Sequence, residues 1–123
     1  MKGPSMMIMN SYMMTDRELL EAAAKAADVP LDLTIRPDGK PFGCSERGLA
    51  IDVVPGWWNP LTDDGDALRL AVDLKMKITV GNAIVMVEAI GIPDVGVPFT
   101  GDAREATRRA IVRAAAAIGE QMP

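Results

Sequence analysis

Lys77-Ile78-Thr79-Val80 and Ala83-Ile84-Val85-Met86-Val87-Glu88 flank the pair Gly81-Asn82, and this stretch limits the possible folds more than any other. Two β-branched, apolar runs separated by a Gly-Asn pair predict a β-hairpin with a two-residue turn. An antiparallel pair buries one face against another layer. The rest of the chain supplies that layer as helices.

Thr15 followed by Glu18 forms a capping box, and the Ala-rich sequence after it predicts a helix up to Asp28, stopped by Pro30. Leu19, Ala22, Ala23 and Ala26 share its apolar face. Leu31-Asp32-Leu33-Thr34-Ile35-Arg36 alternates like a half-buried strand, and Pro37-Asp38-Gly39-Lys40 is a turn. Residues 42–54 pair back as a strand, best defined from Leu49 to Val54. A second helix carries Ala67, Leu68, Leu70, Ala71, Val72, Leu74 and Met76 on a broad buried face. Gly91 to Pro98 reads as a surface loop. Asp102 and Glu105 form a second capping box, opening a helix over residues 103–118 that Gly119 ends. Its core side is Ala103, Ala110, Ile111, Ala114 and Ile118.

The predicted order is α-β-β-α-β-β-α: an α+β fold, a three-layer α/β/α sandwich on a largely antiparallel sheet. The length of 123 residues fits one domain over residues 14–123. Residues 1–13, part of a start that holds six of the nine methionines by residue 14, read as a flexible extension.

Composition removes several classes of function. Histidine is absent, and with it the commonest general base and metal ligand. The single cysteine, Cys44, has no histidine to activate it and suits a reducing cytoplasm. A net charge of −4 argues against DNA, RNA or an anionic membrane as partner. No apolar run reaches the roughly 20 residues of a membrane span. The Asp63, Asp64, Asp66 cluster lacks calcium-loop spacing and reads as a helix N-terminus with Asp63 as its cap. The chain is expected to be no enzyme and to need neither metal nor cofactor.

Two features suggest binding. Arg104, Arg108, Arg109 and Arg113 lie on one helix as two i,i+4 pairs in an acidic protein. They read either as a solvated face, with Glu105 meeting Arg109, or as a fork for phosphates. Both tryptophans sit in Val54-Pro55-Gly56-Trp57-Trp58-Asn59-Pro60-Leu61. Adjacent extended residues point to opposite sides, so one indole can plug the core while the other stays exposed. An exposed indole near arginines suits a purine nucleotide, or equally a protein contact.

The block Trp58-Asn59-Pro60-Leu61-Thr62-Asp63-Asp64-Gly65-Asp66-Ala67-Leu68, joined to Ala106-Thr107-Arg108-Arg109-Ala110-Ile111-Val112-Arg113-Ala114, resembles the phage ABA sandwich domain of small phage and prophage proteins. The inserted Pro55-Gly56-Trp57 and the Met-rich start depart from that pattern. The resemblance implies an α/β/α sandwich. It also implies an anti-defence role in the host cell cytoplasm, as in anti-Thoeris sponges that sequester cyclic ADP-ribose isomers or cyclic oligonucleotides. On that reading Arg108, Arg109 and Arg113 hold phosphates, Trp57 or Trp58 stacks on adenine, Asn59 bonds base or ribose, and the ligand is enclosed in a dimer or larger homo-oligomer. The alternative is an inhibitor that grips a host or phage protein through the Trp loop.

Overall fold

The computed structural model describes residues 14–29, 44–45, 48–50 and 57–123. The expectations for residues 1–13, for the strand and turn at 31–40, and for 51–54 lie outside the described residues. The elements are α1 (Asp16–Ala27), β1 (Cys44–Ser45), β2 (Gly48–Ala50), β3 (Trp57–Trp58), α2 (Asp64–Asp73), β4 (Lys77–Val80), β5 (Ile84–Glu88), β6 (Val95–Pro98) and α3 (Ala103–Gln121). Among the described residues every strand pairing is antiparallel, in two three-stranded sheets ordered β1-β2-β3 and β4-β5-β6. The protein is an α+β sandwich built on antiparallel sheet.

α1 starts as expected. The Thr15 hydroxyl accepts from the Glu18 amide, and the Glu18 carboxylate accepts from the Thr15 amide. The helix stops one residue before Asp28, which turns into the left-handed region with its amide bonded back to Ala24 and Lys25. Leu19, Leu20, Ala23 and Ala24 are buried, so the apolar face is rotated from the expected one, and Ala22 and Ala26 sit at its border.

The hairpin β4–β5 forms, shifted by one residue at its turn. Gly81 donates its amide to the Ile84 carbonyl, so the turn residues are Asn82 and Ala83. Gly81 instead occupies the last ladder position, where a Cβ would lie 2.9 Å from the Ile84 carbonyl oxygen. The supposed loop before α3 contains a third strand. Val95-Gly96-Val97 alternates, Val95 and Val97 are buried beside Val87 and Val85, and Gly91 makes the preceding turn with φ 89°. Gly96 lies inside this strand to leave room for the Met86 sulfur, only 2.9 Å from where its Cβ would stand.

α3 is the hub. Ala106, Ala110, Ile111, Val112, Ala114, Ala115 and Ala116 are all buried, and the helix touches α1, α2, β5 and β6. Asp102 caps it through the Arg104 amide, not through the Glu105 amide of the expected box. Gly119 does not end the helix, which runs two residues further. The glycine is buried against the Ala22 backbone, where α1 crosses too closely for any side chain. No helix among the described residues is long and apolar enough to cross a membrane.

Candidate functional site

The tryptophan block is a self-bonded cap. Asn59 Oδ1 accepts from the Leu61 amide at 3.1 Å, and the Asn59 carbonyl accepts from Thr62 and Asp63. Asp66 reaches back to the Asn59 amide at 3.0 Å, while its own amide donates to Asp63 at 2.8 Å and Arg69 bonds its other oxygen at 2.7 Å. This is an Asx turn feeding a helix N-terminus, with Asp63 as the cap that its position implied. Trp58, 6% exposed, is part of the core beside Leu61. Its indole presents no open face for stacking. The backbone of Trp57 pairs with Ala50.

The arginines of α3 diverge. Arg108 donates Nε to the Leu61 carbonyl at 2.8 Å and Nη1 to Asp64 at 2.7 Å, pinning α3 to the tryptophan block. Arg109 turns to α1 and meets both oxygens of Asp16, at 3.0 and 3.4 Å. Arg113 is half-buried and engaged in an interaction of its own. The structure thus brings Trp58, Asn59 and Arg108 together as a joint between elements, and it turns Arg109 toward a different helix. Asp16 and Asp64 each stand in the first turn of their helix. Both therefore answer a helix dipole and an arginine at once.

An open cleft lies next to that joint. It holds about 360 Å³ between α2, β4 and the first turns of α3, walled by Leu68, Ile78, Val80 and Ile111, with Arg104 and Arg108 at its rim. Its origin is geometric. Ile78 and Val80 share the sheet face of their partners Val87 and Val85, which are fully buried under α3. β4 is displaced to the side, so the same face of the sheet runs out from under the helix layer. Leu68, Val72 and Val80 are 63%, 64% and 58% exposed, although the sequence pattern assigns Leu68 and Val72 to the core. Asp64 on the cleft wall is held by Arg108, whereas Arg104 forms no ion pair among the described residues.

No family model, curated protein or solved structure matches this chain.

A second, polar recess of about 340 Å³ lies where α1 meets the end of α3, lined by Glu18, Glu21, Lys25 and Glu120. Most of its charged groups are already used. Glu18 closes the capping box, Glu21 bonds Arg17, and Lys25 Nζ donates to the Met122 carbonyl. The Thr15 amide, with its hydroxyl and the Arg17 charge adding to the effect, holds the Glu18 carboxyl below the usual glutamate range. Among the described residues no group of three or more carboxylates or thiols is placed to hold a metal ion.

The cleft is therefore the candidate site; Arg104 and Arg108 of the arginine stripe line it, whereas Trp58, Asn59, Arg109 and Arg113 do not. Arg104 belongs to the arginine stripe that the sequence already singles out, whereas Leu68, Ile78 and Val80 escape a reading by periodicity, because apolar residues on a helix or strand pattern are assigned to the core by default. Only the position of β4 beyond the helix layer exposes them.

Proposed function

We propose that the chain is a non-enzymatic binding protein that captures a small ligand in the α2–β4–α3 cleft, the ligand having a flat apolar body and at least one anionic group. The observation carrying this reading is a cleft of binding-site size with apolar walls and, lining it, the Arg104 guanidinium, which forms no ion pair among the described residues. An adenine ring between Leu68 and Val80 with a phosphate at Arg104 meets that description. The resemblance to phage ABA sandwich proteins supplies the biological class: sequestration of a cyclic adenine-nucleotide immune signal in the host cytoplasm. Arg104 takes the place in this reading that Arg109 holds in the sequence expectation, since Arg109 is bonded to Asp16.

The direct experiment is calorimetry and native mass spectrometry of the full chain against cyclic ADP-ribose isomers and cyclic oligonucleotides, with analysis of anything released on heating. Binding that Arg104→Ala weakens at least tenfold supports the reading. No binding to any nucleotide, together with nothing released, overturns it. The exposed Leu68, Val72 and Val80 favour a second reading, in which the same surface grips a protein. That reading predicts co-purification of a partner lost on Leu68→Asp.

A further inference from the structure

Among the described residues, β4 is an edge strand of its sheet, pairing only with β5, and Lys77, Thr79 and Val80 are exposed. The hydrogen-bond phase of that edge follows from two bonds. Gly81 donates to Ile84, and Phe99 donates to Ala83 across β5–β6. Antiparallel ladders alternate, so Lys77, Thr79 and Gly81 turn their N–H and C=O groups toward β5. The backbone groups of Ile78 and Val80 therefore point outward from the edge. The exposed Val80 side chain lies on that edge and lines the cleft together with the exposed Leu68.

We propose that a second copy of the chain occupies this edge, joining β4 to β4 antiparallel about a twofold axis at Thr79. Self-pairing satisfies the demands of side-chain face and of hydrogen-bond phase together. A twofold axis normal to the sheet keeps inner faces on one side, so inward residues must meet inward residues. Only registers pairing even with even numbers do this. The register centred on Thr79 places Ile78 opposite the partner copy's Val80, and Val80 opposite its Ile78. The outward N–H and C=O groups of these same two residues then bond each other. The register also sets Lys77 opposite a glycine, Gly81, and keeps the two lysines apart. The twofold axis makes the interface isologous, with a backbone ladder along β4 and the exposed Val80 and Leu68 of each copy on the same side of the joined sheet.

The added strand walls the open side of the cleft, which makes the second copy part of the site. The dimer itself rests on the β4 edge and not on the ligand reading. Free exposed strand edges are also the usual templates for association between chains.

The test uses the full chain without ligand. Sedimentation and native mass spectrometry are expected to show a dimer. At the self-paired position, directly opposed residues in a non-hydrogen-bonded pair have Cα atoms about 4.5 Å apart, within disulfide range. Thr79→Cys in a Cys44→Ser background is therefore expected to form a linked dimer on mild oxidation, whereas Lys77→Cys in the same background is not. Val80→Asp is expected to yield a folded monomer, checked by circular dichroism. A wild-type monomer overturns the proposal. So does a dimer that Lys77→Cys links and Thr79→Cys does not, or one that survives Val80→Asp. A linked dimer that, in the separate calorimetry, binds no nucleotide rejects the ligand reading alone.

Discussion

Gly119 of α3 and Ala22 of α1 touch backbone to backbone: a Cβ on residue 119 would overlap the Ala22 carbonyl oxygen and lie 2.9 Å from its carbonyl carbon. This contact sets the distance between the two helices that share most of the core. Gly119→Ala is expected to destabilise the protein by about 1–3 kcal/mol, the range for overpacking a close contact. Gly101→Ala, where nothing lies within 4 Å of the new methyl, is the matched control and should be nearly neutral. Chemical denaturation of both variants checks this, and equal stabilities would remove the close crossing as an explanation for Gly119.

Arg108 is the rivet between α3 and the tryptophan block. Its side chain is only 17% exposed, and it bonds both a main-chain carbonyl and a carboxylate. Arg108→Ala strands the Leu61 carbonyl and is expected to cost about 1.5–3 kcal/mol. Arg108→Lys should recover less than half of that, because an ammonium cannot reproduce the two diverging donors. Thermal melts of the two variants decide it.

Arg109 and Arg104 separate structure from binding. Arg109→Ala removes a partly exposed pair with Asp16, worth up to about 1 kcal/mol, and should leave nucleotide affinity unchanged. Arg104→Ala should leave the melting temperature within error and abolish most of the affinity. The opposite assignment of effects would return the phosphate role to Arg109.

Stability should fall in acid partly through the α1 capping box. Glu18 has its folded pKa lowered, chiefly by the Thr15 amide. Its contribution is therefore fully present above the usual glutamate range and is lost as pH drops through the lowered folded value. Glu18→Gln should be less stable than wild type at neutral pH, and the difference should shrink in acid. Parallel denaturation series across that range would show it; a constant difference would place the effect elsewhere.

Local rules written into neighbouring residues were legible in the sequence. Thr15 with Glu18, Asp63 with its helix, and the β4–β5 pair all follow from bonds spanning a few positions. Two misreadings were local, the turn residues of β4–β5 and the amide that Asp102 caps, but the others concern what lies across space from a residue. Gly119 and Gly96 read as breaks, yet each sits inside an element because something else needs its missing side chain. Leu68 and Val72 follow a core pattern, but the helix layer ends before it covers them. The arginine stripe shows its spacing in the sequence, while Asp16, 93 residues away from Arg109, is visible only in the fold. The cleft was illegible for the same reason: its walls come from three elements, and none carries a motif.

The place of α3 in the chain has a consequence for biosynthesis. α1, α2 and the β4–β6 sheet each bury their apolar faces against α3, which follows all of them in sequence. While the ribosome is still making residues 103–121, none of those earlier elements has its cover. Each must wait, apolar face open, until the last helix has cleared the exit tunnel. Collapse is then expected to be late and concerted, and a chain halted shortly before residue 103 would be a substrate for chaperones and proteases, not a stable half-domain.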